Sequence, residues 1–281
     1  MSGGLFQLAV YGVEDLILTH EPEVTFFKNM FKRYSNFLKE SIVQNFIGTV
    51  DFGRRVSVVI SRHGDLMSNV YVKVILPTIE YDKTNKYIYS WVKNIGFKII
   101  KTVEIEIGGQ IIDKHYSDWL YIWSELTCPI DKRDGLNQMI GNVPANYDFN
   151  KHYNSDIGSY TCYIPLYFWF CKSSNSALPI IALKNHEIKI NIEFEELKNC
   201  LLQANISDII TNTSVYTTET NNIITGVPVG NKIIEKLQSN LEVDFIFLDK
   251  DERTMFINNT HEYYIEQLQY NNENMFLGDL S

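Results

Sequence analysis

Apolar and polar residues alternate with a period of two over several segments of this chain. In EIKINIEF (residues 187–194), the residues Ile188, Ile190, Ile192 and Phe194 alternate with charged and amide side chains. This pattern is typical of a β-strand with one buried face and one exposed face. The same alternation predicts further strands in RVSVVIS (55–61), YVKVIL (71–76), VEIEI (103–107) and LEVDFIFLD (241–249).

Helical periodicity is short and local. Two segments place apolar residues on one helical face: Phe26, Phe27, Met30, Phe31 and Tyr34 after a capping Thr25, and Trp119, Leu120, Trp123 and Leu126 after Ser117. No helix of about 10–15 residues recurs between the strands, which disfavours a parallel α/β architecture. The pattern predicts an all-β, antiparallel sandwich or barrel such as a jelly roll, with a few short helices.

The stretch VEIEIGGQIIDKHYSDWLYIW (103–123) brings together Asp113, His115, Ser117 and Asp118. An acid, an imidazole and a hydroxyl at this spacing are compatible with a metal site or a catalytic cluster. They are equally compatible with the polar residues of a structural corner. Local chemistry has to decide between the two readings.

Local chemistry favours the structural corner. The pair Gly108-Gly109 predicts a tight hairpin, because both central residues of such a turn adopt positive φ. We expect Asp113, Lys114 and His115 to leave the sheet and Ser117 to cap the next helix. Asp118 then falls in the first helical turn, where the helix dipole favours negative charge. Only His115 is left without a role.

Catalytic and metal-binding motifs are absent from the sequence. It contains no phosphate-binding loop, no G-x-S-x-G elbow and no H-x-H or H-E-x-x-H pair. A jelly-roll metal enzyme of the cupin type needs two histidines and a carboxylate around one ion, which makes this the weakest class of function. We therefore predict no catalytic, cofactor-binding or metal-binding residues among the six histidines, His20, His63, His115, His152, His186 and His261.

The formal net charge of −9 argues against a chain that coats nucleic acid. The charge is uneven, because residues 1–101 contain 13 Lys/Arg against 9 Asp/Glu whereas residues 102–281 contain 12 against 25. The basic residues are spread over predicted strands and loops. We interpret this part as a solvated or subunit-contact face rather than a site for an anionic partner, and we expect no direct nucleic-acid binding.

The cysteines and the N-terminus indicate a reducing compartment. Cys128, Cys162, Cys171 and Cys200 lie far apart without a C-x-x-C pair, which favours reduced core thiols over a zinc ribbon or disulfides. The N-terminus lacks the basic region of a signal peptide, and no apolar run approaches the roughly 18 residues of a membrane span. We expect a soluble, cytosolic product.

Two further stretches bear on binding. The aromatic run Tyr167, Phe168, Trp169 and Phe170 could stack on sugars or bases, but a run that is aromatic on both strand faces favours a buried strand or a subunit contact. Residues 199–240 are rich in Asn and Thr and predict a long surface loop at one end of the sandwich. Together they support an alternative function, a jelly-roll carbohydrate-binding module.

Several segments together resemble the major capsid proteins of nucleocytoplasmic large DNA viruses, the double jelly-roll lineage. The resemblance is carried, in the family's order, by residues 3–37 (GGLFQLAVYGVEDLILTHEPEVTFFKNMFKRYSNF), 51–66 (DFGRRVSVVISRHGDL), 91–126 (WVKNIGFKIIKTVEIEIGGQIIDKHYSDWLYIWSEL), 163–194 (YIPLYFWFCKSSNSALPIIALKNHEIKINIEF) and 243–269 (VDFIFLDKDERTMFINNTHEYYIEQLQ).

The resemblance implies a structural protein and no enzyme. Members fold as two eight-stranded jelly rolls in tandem, and three copies form a pseudo-hexagonal capsomer of an icosahedral shell. The implied organisation is an N-terminal jelly roll over 1–250, with an N-terminal segment at 1–40, followed at 251–281 by a linker and the start of an incomplete second jelly roll.

The implied partners are further copies of the chain, as a homotrimer and as neighbouring capsomers. Minor capsid proteins and the inner viral membrane surface are additional expected partners. The implied location is the capsid of the virion, after synthesis in the host cytoplasm. Because a pseudo-hexagon needs six barrels from three chains, the resemblance makes capsomer formation depend on a second jelly roll.

Overall fold

The computed structural model of the chain describes residues 12, 36–81, 87–152, 155–205, 224–225 and 236–270. The chain divides into two compact units, Met1–Phe37 and Leu38–Ser281. The first unit lies almost wholly outside the described residues, and so does the helix predicted from Phe26 to Tyr34. The fold described below is that of the second unit.

Two four-stranded sheets form the body of this unit, which we call the sandwich. In chain order the strands of the described residues are β1 (Phe37–Gln44), β2 (Arg55–Val59), β3 (Leu66–Leu76), β4 (Tyr87–Trp91), β5 (Ile100–Ile107), β6 (Gln110–Tyr116), β7 (Tyr160–Pro165), β8 (Ile188–Phe194), β9 (Leu201–Asn205), β10 (Ile224–Thr225) and β11 (Gln238–Leu248). The two sheets have the strand orders β1-β11-β3-β7 and β2-β8-β5-β6.

The strands pair with distant partners and run antiparallel. Strand β3 lies antiparallel to β11 and β7, and β8 lies antiparallel to β2 and β5. Strand β5 also pairs with β6, its neighbour in sequence. Neighbours in the sheets are thus mostly distant in the chain, as the crossing connections of a jelly roll require. The prediction of an all-β, antiparallel jelly-roll sandwich is confirmed.

One apolar core lies between the two sheets. Each sheet contributes alternate residues to it, for example Val72 from β3, Leu241 from β11 and Ile190 from β8, all without solvent exposure. The five segments whose alternation predicted strands all form strands. In β11 the register shifts between Val243 and Phe245, so Ile246 is buried in a separate small cluster while Phe247 is only partly buried.

A third, three-stranded sheet of order β10-β9-β4 adds to the predicted eight strands. Strand β9 pairs with β4 from Leu201 to Asn205, so these residues are not the start of a surface loop as predicted for 199–240. Residues 238–240 likewise belong to β11. Residues 206–223 and 226–235 of the predicted loop lie outside the described residues.

The helices of the described residues are short, as predicted. They are α1 (Ile95–Lys98), α2 (Ser117–Thr127), α3 (Arg133–Met139), α4 (Pro144–Tyr147), α5 (Phe149–His152), α6 (Leu197–Cys200) and α7 (Lys250–Asn258), with 3-10 turns at Ile130–Lys132, Trp169–Cys171 and Ser174–Ser176. In the part of the chain that the structure describes, no helix is long and apolar enough to cross a membrane.

Candidate functional site

The hairpin that joins β5 to β6 organises the stretch with the densest reactive side chains. Gly108 and Gly109 occupy its two central positions with φ of 59° and 86°, and Ile107 pairs with Gln110 across the turn. Positive φ at both central residues gives the twist that a two-residue hairpin needs. The predicted glycine turn is confirmed.

An irregularity in this hairpin decides where the reactive side chains point. Glu106 pairs with Ile111, but the next pair joins Ile105 to Asp113, so β6 contains one extra residue at Ile112. Such a bulge exchanges the two faces of the strand beyond it. Asp113 and His115 therefore share the buried face with Ile105, while Lys114 takes the outer face opposite Glu104.

Strand β6 also extends further than the sequence suggested. Asp113, Lys114 and His115 all lie within it and pair with β5, so the prediction that they leave the sheet is wrong. The bulge lets the strand continue because it places these polar residues where partners are available. The helix α2 begins directly where β6 ends.

Asp113 and His115 form a buried pair. Their side chains are 2% and 4% exposed, and His115 Nε2 lies 2.9 Å from Asp113 Oδ2. The imidazole stacks on the Phe168 ring at a centroid distance of 4.7 Å. Oδ1 of Asp113 accepts hydrogen bonds from the backbone N–H of Lys114 at 2.8 Å and of Leu268 at 3.1 Å. This pair gives His115 the role that the sequence left open.

Ser117 and Asp118 do not join this pair. Tyr116 occupies the N-cap position of α2 with extended backbone and no side-chain capping bond, so Ser117 is the first helical residue and the predicted cap is wrong. Asp118 lies exposed in the first turn, as predicted. Within the described residues, no three His, Cys, Asp or Glu side chains cluster as they would around a metal ion. The stretch forms a hairpin that leads directly into a helix.

The other histidines lie apart from this pair. His63 and His186 are exposed, and His261 bonds through Nε2 to the carbonyl of Phe256 at 2.7 Å. His20 and the side chain of His152 lie outside what the structure describes. The described histidines are therefore dispersed over the unit.

The outer face of the β2-β8-β5-β6 sheet contains an ionic cluster. The Glu104 carboxylate is 5% exposed, and it pairs with Arg55 Nη2 at 2.5 Å and with Lys114 Nζ at 2.8 Å. Arg55 comes from β2, Glu104 from β5 and Lys114 from β6, so the cluster ties three strands of one sheet. Two cations compensate the cost of desolvating the Glu104 carboxylate better than a single cation would.

Three of the four residues of the predicted aromatic run are buried, and the fourth, Tyr167, is half-buried. Phe168 and Phe170 have no exposed area and Trp169 is 4% exposed, because the residues after β7 turn inward as a 3-10 helix. The interpretation as core is confirmed, although the run is not a strand as expected. The three buried rings cannot stack on a glycan, which removes most of this surface from the carbohydrate-binding alternative.

Helix α2 and the turn after it expose apolar side chains. Leu120 on the inner side of α2 has no exposed area, whereas Ile122 is 47% exposed and Leu126 is 76% exposed. Leu126 was predicted to share the apolar face of the helix with Leu120 and does not pack with it. Ile130 in the following 3-10 turn is 87% exposed. We call Ile122, Leu126 and Ile130 the α2 patch.

The fold is a jelly-roll sandwich, and comparisons with known proteins identify the class of structural proteins to which it belongs. Residues 25–249 match the family described as major capsid protein N-terminus. The chain is 34% identical to probable capsid protein 4 of Acanthamoeba polyphaga mimivirus, over 97% of this chain and 68% of that protein. It is 38% identical to the major capsid protein of Phaeocystis pouchetii virus, over 96% of this chain and 53% of that protein.

Solved structures give the same result. The chain aligns with the quasi-atomic model of the PBCV-1 virus capsid at a TM-score of 0.66 and 32% identity, over 87% of this chain and 50% of that one. The chain therefore belongs to the major capsid protein family of large DNA viruses, a family of structural proteins and not of enzymes. It spans about half the length of most of these relatives.

Two features of the site were missed from the sequence. The Glu104 cluster follows from a register that the bulge sets, since an unbulged hairpin would have placed Glu104 opposite Asp113. The contact of Leu268 with Asp113 joins residues 155 positions apart. The Gly108-Gly109 signal predicts the hairpin but not its bulge, so it locates the Glu104 cluster only approximately. No local sequence pattern indicates the contact between Leu268 and Asp113.

Proposed function

We propose that this chain is the N-terminal jelly roll of a major capsid protein that assembles into trimeric, pseudo-hexagonal capsomers of an icosahedral shell. The observation that carries the proposal is the family match over residues 25–249 on a chain that folds as a jelly-roll sandwich. In this proposal residues 1–250 form the first barrel, and residues 251–281 contain the linker and the start of a second.

The physical character of the sandwich supports a building block. Its two sheets share one continuous core, and buried carboxylates on both sheet faces are satisfied by partners from other strands or from a distant loop. Rigid units of this kind preserve the geometry of repeated contacts, which closed symmetric assemblies require. The proposed partners are further copies of the chain, minor capsid proteins and the inner viral membrane surface, in virions formed from protein made in the host cytoplasm.

Light scattering and electron microscopy test the proposal. The 281-residue chain and a version fused to the second half of the Phaeocystis relative would be purified in parallel. We expect the fusion to form particles of three chains with pseudo-hexagonal outline, because six barrels are then available. A fusion that stays strictly monomeric at high concentration, or a chain that binds glycans as a monomer, would contradict the capsid function.

A further inference from the structure

The chain crosses the edge of the sandwich after α7. Residues 261–270, which we call the exit segment, have no regular secondary structure, and most of their side chains are exposed. The segment passes β6, the last strand in the order β2-β8-β5-β6. Exposed edge strands invite pairing with other chains unless something covers them. The exit segment is in position to provide such a cover.

Consecutive residues of the exit segment contact the sandwich. The Glu266 carboxylate pairs with Lys172, whose ammonium also lies 4.5 Å from the centre of the Trp123 ring. The Gln267 side chain donates to the carbonyl of Ile112 at 2.5 Å, and the N–H of Leu268 donates to Asp113 Oδ1 at 3.1 Å. These contacts fall on one short length of chain.

The end of the segment contacts an aromatic ring of the sandwich. The Tyr270 ring lies against the Tyr116 ring at a centroid distance of 4.4 Å. Tyr116 is the last residue of β6, so the segment follows the strand from its bulge at Ile112 to its end. An exposed stretch with this many directed contacts is ordered by its surroundings and not by its own packing.

Asp113 is the one buried group among these contacts. Its carboxylate is held from behind by His115 Nε2, and the His115 ring is in turn fixed by stacking on Phe168. A carboxylate oriented in this way presents Oδ1 at a defined place on the edge of the sheet. Hydrogen bonds to charged acceptors are stronger than those between neutral groups, and burial strengthens them further.

We infer that the Asp113–His115 pair is a latch that holds the exit segment on the edge strand β6 and so fixes the direction in which the chain leaves the sandwich. Asp113 binds the segment, and His115 acts as a positioning residue through Asp113. The consequence for assembly rests on the proposed function, since a fixed exit would orient whatever part of a capsid protein follows. The latch itself does not depend on that function.

Hydrogen–deuterium exchange on the 281-residue chain tests the latch from the side of the segment. Leu268→Pro removes the N–H that donates to Asp113 and leaves every residue of the sandwich unchanged. We expect exchange over the rest of the exit segment to accelerate at least about tenfold, as the loss of a hydrogen bond to a charged group predicts. Tyr264→Pro is the matched control, because Tyr264 is 87% exposed. Equal exchange in the two variants would overturn the inference.

A second variant tests the latch from the side of the sandwich. Asp113→Ala should accelerate exchange of the segment to the same degree as Leu268→Pro. The segment of the double variant should exchange no faster than that of the faster single variant. Additive effects would show that Asp113 acts only on general stability and would overturn the latch. Asp113→Asn keeps an acceptor oxygen and should give an intermediate effect.

The two proposals fail separately. If exchange responds as expected but the fusion protein forms no capsomers, the latch stands and the capsid assembly does not. If capsomers form but exchange over the segment is unchanged in Leu268→Pro, the latch is wrong and the assembly stands. Exchange and particle mass are therefore measured on the same preparations.

Discussion

At the residue scale, the β5–β6 hairpin places two carboxylates in opposite surroundings. Glu104 lies under two cations whose own side chains remain in contact with water, Arg55 at 57% and Lys114 at 38% exposure. Asp113 instead meets one imidazole and two backbone N–H groups inside the protein. The first carboxylate is neutralised by solvent-exposed cations, and the second is held by an imidazole and by backbone donors that define its position.

Replacement of His115 by Ala should lower stability without any other visible effect on the sandwich. The change removes a buried ring from Phe168 and leaves Asp113 desolvated without one of its donors. Losses of this kind cost about 3 kcal/mol in the free energy of unfolding. Urea denaturation measures this, with the exposed His186→Ala as the control. A loss no larger than that of the control would show that the pair contributes nothing to the fold.

The buried cysteines should be inert toward thiol reagents. Burial raises the pKa of the Cys162 and Cys200 thiols from 9.0 to about 12. Desolvation of its thiol raises the pKa of Cys171 to about 12 as well, although that residue as a whole is only half-buried. Since the thiolate is the reactive form, native protein at pH 8 should show fast labelling of Cys128 alone. Rapid labelling of Cys162 or Cys200 before unfolding would contradict this assignment.

The same thiols predict how stability depends on pH. In the unfolded chain they ionise near pH 9.0, whereas in the native state they stay protonated up to about 12. The native state then binds more protons than the unfolded state, so the free energy of unfolding falls as pH rises through this window. Urea midpoints at pH 8 and pH 10.5 should show the fall, and Cys162→Ala should reduce it. An unchanged pH dependence in that variant would show that ionisation of Cys162 does not contribute to the fall in the free energy of unfolding.

At the scale of elements, the sequence predicts the strands that have one exposed and one buried face. It does not predict which strands pair with each other. The alternation in residues 187–194 reports burial directly, because the side-chain period of a strand equals the period of the pattern. The sequence LLQAN of β9 has no such alternation, and its pairing with β4 depends on tertiary contacts. The bulge at Ile112 likewise depends on which partners the following residues find.

Two glycine substitutions should have opposite signs. Gly109 has φ of 86° and open space around the position of a side chain, so Gly109→Ala is penalised by backbone strain alone, about 1 kcal/mol. Gly135 lies inside α3, where a Cβ also meets nothing, and Gly135→Ala should stabilise by about 0.5–1 kcal/mol. Thermal unfolding of both variants measures the difference. A stabilising Gly109→Ala would show that the turn does not need positive φ there.

At the scale of the whole molecule, the sandwich encloses an apolar core but also leaves apolar side chains exposed on its surface. Isolated exposed apolar residues are common on proteins, but a contiguous group of them marks a contact surface. Ile122 and Leu126 lie four residues apart on one face of α2, and Ile130 begins the separate 3-10 turn that follows the helix. We therefore expect the α2 patch to be one surface of contact between copies.

The 281-residue chain should associate with itself reversibly through the α2 patch, and the double variant Leu126→Glu/Ile130→Glu should suppress this association. Two carboxylates per copy would have to be desolvated in any contact made by the patch, which costs far more than the buried apolar area returns. Static light scattering over a concentration series gives the average mass. The control is Met255→Glu on α7, where the native side chain is 54% exposed and lies outside the patch.

If both variants reduce the average mass equally, general charge repulsion explains the effect. If neither variant reduces it, contacts between copies lie elsewhere on the molecule. A loss specific to the double variant, with an unchanged thermal unfolding midpoint, would place one surface of self-association on α2, because the sandwich beneath it would be intact.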